Sequence, residues 1–159
     1  MEEQKKVPAS QAAASSEVRL QRQIILPNDV QEVPRMAEFI ETVCDEAGVD
    51  MATAMQLNLA IEEAVVNVMN YAYPAGTQGE VSLSASVQGD TITFVLSDSG
   101  TPFDPTAQED ADTSLSAEDR PIGGLGIFLV KQLMDSVIYE RTEGKNILTL
   151  TKKLVGIPL

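Results

Sequence analysis

The sequence contains no histidine, no tryptophan and one cysteine, Cys44, among its 159 residues. Without histidine there is no Ser-His-Asp or Cys-His nucleophile system, no His-ligated zinc and no phosphoacceptor histidine. One cysteine permits no intramolecular disulfide, which fits a reducing compartment. Cys44 falls inside a helical pattern and reads as a small core residue rather than a nucleophile. Basic residues are scarce: Lys and Arg number 11 against 24 Asp and Glu, a formal net charge of −13. Nucleic-acid backbones are held by Lys and Arg, so no nucleic-acid partner is expected. The acidic balance favours a basic partner, or serves solubility. No apolar run approaches membrane-spanning length, and the charged N-terminus lacks an apolar signal-peptide region. A cytoplasmic protein with no membrane partner is the expectation. The chemistry left over must rest on carboxylates, amides, backbone N–H groups and a metal that prefers oxygen.

What is present suits a single domain; a chain of this size buries roughly two-thirds of its unfolded surface without a staple. Residues 1–16 show no pattern that buries a face and read as a disordered N-terminal tail. Residues 17–159 read as the domain. Val18, Leu20, Ile24 and Leu26 alternate with polar residues over 17–26 as a half-buried strand. Asn28 or Asp29 can cap a helix over about 30–47, with Val33, Ala37, Ile40 and Val43 as its stripe and Gly48 at its end. Asp50 caps a long helix from Met51 to about Ala72, whose apolar stripe is Leu57, Ile61, Ala64, Val65 and Val68. Residues 80–88 and 91–97 alternate as a hairpin about Gly89-Asp90, one face wet and one dry, which calls for helices on a single face. A short helix over 125–134, a strand over 136–140, a turn over 143–146 and a strand over 147–154 follow. Residues 101–122 hold three prolines and many acids without a pattern. A loop of that length in a compact domain is usually functional, and a lid over a ligand is the reading.

Three stretches carry chemistry. Glu63 and Asn67 sit four residues apart on one face of the long helix. Asp98, continuing the strand alternation after Leu96, lands on the inward face, where a carboxylate is costly unless hydrogen-bonded. It can cap a backbone turn, or accept a hydrogen bond from an exocyclic amine such as that of adenine. Guanine would present an oxygen there and be rejected. Gly100 lets a base approach the backbone. Gly123-Gly124-Leu125-Gly126 opens a helix, where exposed N–H groups attract phosphate; a plain turn before a helix reads equally well from these residues alone. Asn67 offers an oxygen to Mg²⁺, and Glu63 can take a proton from an attacking hydroxyl.

Together EAVVN (63–67), DSGTPFDP (98–105) and GGLGIFLVKQLMD (123–135) resemble the N, G1 and G2 boxes of the histidine-kinase-like (GHKL) ATPase superfamily. The wording of the second box and the closing NILTLTKKL resemble the anti-sigma-factor serine protein kinase branch. The resemblance implies an α+β two-layer sandwich of the Bergerat fold, with a mixed, mostly antiparallel sheet, helices on one face and an ATP lid. It implies ATP and Mg²⁺ as ligands, with Asp98 on the adenine amine and Asn67 on the metal. Gly124 and Gly126 would line the phosphates, flanked by Gly123 and Leu125, and Glu63 would be general base. Some relatives place an arginine just before these glycines to reach the γ-phosphate. Arg120 is the candidate, though Pro121, Ile122 and Gly123 intervene; a surface arginine is the alternative. Tyr71 stands where many relatives have histidine.

Members of the branch bind a sigma factor as homodimers and phosphorylate a serine on a STAS-fold antagonist. The expected function is that of an anti-sigma factor and serine/threonine kinase in a partner switch. The rival is an ATP-gated binding module of the same fold with little turnover. A sensor-kinase catalytic domain would require a histidine or dimerisation helix upstream, and a mechanical ATPase a transducer domain; neither is present in the sequence.

Overall fold

The computed structural model describes residues 17–107 and 124–154. Its elements in chain order are β1 (Val18–Pro27), a 3-10 turn (Val30–Glu32), α1 (Val33–Ala47), α2 (Met51–Tyr71), β2 (Glu80–Gln88), β3 (Thr91–Asp98), α3 (Gly124–Leu133), β4 (Ser136–Thr142) and β5 (Lys145–Lys153), with a further 3-10 turn at Pro105–Ala107. The strands form one sheet in the order β1-β2-β3-β5-β4. The helices cover one face, and the fold is the two-layer α+β sandwich expected.

Every strand pairing is antiparallel, where the resemblance implied a mixed sheet. The connections explain this. Two helices in succession, α1 and α2, carry the chain from β1 back to its neighbour β2, so the pair must run in opposite directions. A single helix, α3, carries it from β3 to β4, which makes those two strands co-directional. The β4–β5 hairpin then inserts β5 between them, and no parallel neighbours remain among the described residues.

Each helix is delimited by local chemistry. The Asp29 carboxylate accepts from Gln31 N–H at 2.9 Å and starts the 3-10 turn ahead of α1. Gly48, at φ 76°, ends α1 in the left-handed conformation that glycine adopts without strain. Asp50 accepts from Thr53 N–H at 3.1 Å and starts α2. The buried face of α1 is Met36, Ile40, Val43, Cys44 and Ala47. It lies rotated from the expected stripe, leaving Val33 and Ala37 half-exposed. The α2 stripe is as expected: Leu57, Ile61, Ala64, Val65 and Val68 are all buried. They meet Leu83, Phe94, Leu96, Leu148 and Leu150 from the sheet. Each such large side chain contributes about 1.5–3 kcal/mol on full burial. Val18 departs from its expected place at 50% exposure, because a register shift between Val18 and Leu20 breaks the alternation. Burial pushes the Cys44 thiol up to about 11, which suits an inert core residue.

The N-cap of α2 links stability to pH. Thr53, through its hydroxyl first and its backbone N–H second, holds the Asp50 carboxyl below its ordinary value. A lowered carboxyl stabilises the fold in its ionised form, so the contribution is complete above the unfolded-state pKa and lost as pH falls through the folded one. Asp50→Ala is expected to lower the urea midpoint at neutral pH. The gap to the wild type should close as pH drops below about 3.9, the ordinary aspartate value.

Candidate functional site

The C-terminal end of β3 sits opposite the start of β5, with Asp98 paired across the ladder to Asn146. Both side chains face the helix layer and both are 4% exposed. Asp98 therefore lands inward, as its alternation requires. Its Oδ1 accepts two hydrogen bonds of 2.8 Å, one from Gly100 N–H and one from Asn146 Nδ2–H. Its Oδ2 accepts none among the described residues. The carboxylate thus caps the turn at Gly100 and still keeps one oxygen for another donor.

Asn146 was not among the candidates read from sequence. It is fully engaged: Nδ2 donates to Asp98 and to the Thr101 carbonyl at 2.8 Å, while Oδ1 accepts from Phe103 N–H at 3.1 Å and from the Tyr139 hydroxyl at 2.6 Å. That is the whole capacity of a carboxamide, two donors and two acceptor lone pairs. The sequence reading put Asn146 in a turn over 143–146. The turn itself needs only Glu143 and Gly144, at φ 52° and 76°. Two consecutive positive φ values make the tight hairpin turn whose twist matches its strands. Lys145 and Asn146 are thereby returned to the ladder. The signal that could have found Asn146 is its place two residues before Leu148 on the inward side of the strand.

The segment after Asp98 is tied to the end of α2. Thr101 donates to the Ala72 carbonyl through its N–H at 2.7 Å and its hydroxyl at 3.0 Å. Gly100 packs on the Ala72 backbone so closely that a Cβ there would collide with the carbonyl. Arg141 donates to the Gly100 carbonyl at 2.9 Å. Tyr73 bridges the same region, its hydroxyl accepting from Ser99 N–H at 3.0 Å and donating to the Glu80 carbonyl at 2.8 Å. Tyr71 lies against Phe103, with ring centroids 5.7 Å apart. Glycine at 100 is thus required by the approach of two backbones.

The start of α3 meets the middle of α2. A Cβ at Gly126 would lie 2.7 Å from Glu63 Oε2 and 3.7 Å from Asn67 Nδ2. Glu63 and Asn67, one turn apart on α2, are therefore both turned to the glycine end of α3. Asn67 is 5% exposed, and its Nδ2 has no hydrogen-bond partner among the described residues. A buried amide donor without a partner costs about 1–3 kcal/mol, and a ligand acceptor would recover it. A donor serves a phosphate oxygen; the oxygen of the same amide is the atom that can meet a cation. Among the described residues no group of three or more carboxylate, thiol or imidazole side chains is placed to hold a metal. That donor set suits Mg²⁺ arriving with a polyphosphate, since Mg²⁺ keeps waters and phosphate oxygens and takes few protein ligands. Gly124 and Leu125 open α3. Arg120, Gly123 and the greater part of the expected lid, like the tail over 1–16, lie outside the described residues.

The chain matches a known domain. The profile of the histidine kinase-like ATPase domain covers residues 26–152. The chain belongs to the histidine kinase-like ATPase family. Among curated proteins it is 31% identical over 133 residues to the serine-protein kinase RsbW of Halalkalibacterium halodurans, covering 77% of this chain and 80% of the relative. It is 30% identical over 109 residues to RsbW of Listeria monocytogenes, covering 66% and 69%. It is 30% identical over 95 residues to the serine/threonine-protein kinase BtrW of Bordetella bronchiseptica, covering 60% and 67%. These relatives place it on the serine-kinase branch that the three boxes resemble. A Mycobacterium tuberculosis structure containing RsbU and RsbW domains superposes with a TM-score of 0.62 at 18% identity. It covers 85% of this chain, which spans 32% of that one, and supports the fold alone.

The Asp98–Asn146 network makes a stability prediction. Asn146→Ala leaves the Tyr139 hydroxyl, the Phe103 N–H and the Asp98 carboxylate each short of a partner in a buried site. The expected loss is about 2–4 kcal/mol, the cost of unsatisfied polar groups next to a charge. Urea unfolding at neutral pH measures it.

Proposed function

We propose that this protein is an ATP-binding anti-sigma factor and serine/threonine protein kinase, acting on a serine of an anti-anti-sigma protein of the STAS fold. The observation that carries the reading is the buried Asp98, with Oδ1 saturated by Gly100 and Asn146 and Oδ2 left to accept. Such an acceptor suits the exocyclic amine of adenine and opposes the oxygen of guanine. The names of the curated relatives support the kinase reading.

In this reading Glu63 takes the proton from the acceptor serine hydroxyl as its oxygen attacks the γ-phosphorus. The bond from the γ-phosphorus to the bridging oxygen breaks, and ADP leaves. The N–H groups at the start of α3, over Gly124, Leu125 and Gly126, stabilise the charge on the transferring group, and Gly123 is the candidate that precedes them in sequence. Arg120 is the candidate contact to the γ-phosphate. Asn67 would hold Mg²⁺ through its amide oxygen, and the metal would supply further charge neutralisation at the phosphates. Residues 101–122 would form the lid. We place the working protein in the cytoplasm, where its partners would be; among the described residues no helix is long and apolar enough to cross a membrane. We further read the open face of the sheet as the contact between two copies. Ser84, Ser86, Thr93, Thr149 and Thr151 form an uncharged, half-buried patch there, which suits self-association of a chain with net charge −13.

Two measurements test this. Titration calorimetry should show Mg²⁺-ATP binding by the wild type, rejection of Mg²⁺-GTP, and at least about tenfold weaker ATP binding by Asp98→Ala, the loss of one charge-assisted hydrogen bond. A folded wild type that ignores ATP overturns the nucleotide site. Glu63→Ala should lower phosphate transfer from labelled ATP to a cognate STAS protein by a factor on the order of 10² to 10⁴ while ATP affinity holds, the usual share of a general base. Undiminished transfer would remove Glu63 as the base. A wild type that binds ATP and partner but transfers nothing would favour the ATP-gated binding module.

A further inference from the structure

The N-terminal half of α2 presents an apolar strip to solvent. Met51, Met55 and Leu59 recur one turn apart and are 79%, 67% and 43% exposed. A single exposed apolar side chain is ordinary; a contiguous strip marks a contact surface. The strip borders a groove of about 660 Å³ between α1 and α2, with Cys44, Val49 and Ala54 along it. Three carboxylates rim the groove: Glu41 and Asp45 from α1, Glu62 from α2. Among the described residues no lysine or arginine lines it. Arg35 is the sole basic residue of the two helices, and it is paired with Glu32 at 2.7 Å.

We propose that this groove docks a basic amphipathic helix of a partner protein. The apolar side of that helix would lie on Met51, Met55 and Leu59, and its lysines or arginines would meet the three carboxylates. A groove between two helices is read by a third through anchors at helical spacing. Methionine at two of three positions gives an apolar surface that adapts to its occupant. The three carboxylates, which form no ion pair among the described residues, and the net charge of −13 attract and orient a cationic partner. A second copy of this chain is the poorer occupant. A two-fold contact through the strip sets the Glu41, Asp45 and Glu62 rim against its own counterpart, like charge on like. The inference does not rest on the nucleotide reading: among the described residues no hydrogen bond joins a groove residue to Asp98, Gly100 or Asn146. The groove ends at Glu62, next in sequence to Glu63, so an occupant and a nucleotide would share one helix.

The test uses the full chain and a fluorescent synthetic peptide of about five helical turns, with leucines at helical spacing on one face and lysines elsewhere. A shuffled peptide of the same composition but no apolar face is the control. Anisotropy should report binding of the first and at least about tenfold weaker binding of the second, the discrimination that anchor residues provide. Met55→Gln/Leu59→Gln replaces exposed side chains and should weaken binding of the amphipathic peptide by a similar factor, with the thermal midpoint unchanged. Glu41→Lys/Asp45→Lys/Glu62→Lys should lose the lysine peptide and accept the same peptide with glutamates in place of lysines. The proposal is overturned by equal binding of the shuffled peptide, by full affinity in either variant, or by no binding to the wild type. Sedimentation gives a further check: if Met55→Gln/Leu59→Gln turns a dimer into a monomer, the occupant is a second copy and the proposal fails.

Discussion

A carboxylate facing the core has to be satisfied, and most of the site follows from how this is done for Asp98. Its position is set by strand alternation, so it cannot turn to solvent without a register change that would flip Leu96 and Phe94 as well. The fold answers with Asn146 across the ladder and with the Gly100 N–H along the chain. Asn146 is held in turn by Tyr139, Thr101 and Phe103. One buried charge thereby fixes the end of β3, the start of β5 and the first residues of the loop that follows. A network of this kind is either complete or costly. Among the described residues it is complete at every atom but one, and that atom is the acceptor on which nucleotide recognition would depend.

Helix α2 is the other half of the construction. Its apolar stripe anchors it to the sheet, which leaves three further regions of its surface free for other work. One carries Glu63 and Asn67 to the glycine start of α3. Its end receives Gly100 and Thr101 on the Ala72 carbonyl. Its N-terminal half bears Met51, Met55 and Leu59 beside the acidic groove. A helix of 21 residues, packed on the core from Leu57 to Met69, can hold groups from distant parts of the chain in register. The glycines at 100 and 126 are the complement. At Gly100 a side chain would collide with the Ala72 backbone, and at Gly126 it would push on the Glu63 carboxylate.

Elements with a strong period were legible from sequence, and those settled by pairing were not. The β2–β3 hairpin and the buried stripe of α2 stand where alternation and helical spacing put them. The α1 face was misjudged because Met36 and Cys44 compete with Val33 and Ala37 for a similar arc. Only the packing against β1 and α2 decides between them. Asn146 was missed because an asparagine after Gly-Lys reads as turn chemistry, whereas two positive φ values complete the turn before it. Of the site, Glu63, Asn67, Asp98 and Gly126 were legible as motifs; the partners that hold them were not.

By itself the sequence determined the types of element, the inward direction of Asp98 and the chemistry open to the chain. The reasons are local: periodicity, capping residues, glycine in turns and the absence of histidine. Tertiary structure alone decided that β5 inserts between β3 and β4, that Asn146 meets Asp98, and that Gly126 of α3 faces Glu63 and Asn67. It also decided that Met51, Met55 and Leu59 stay uncovered among the described residues. These are contacts between segments tens of residues apart. They arise from how layers pack and which strand lands beside which, and no periodicity within one segment encodes them.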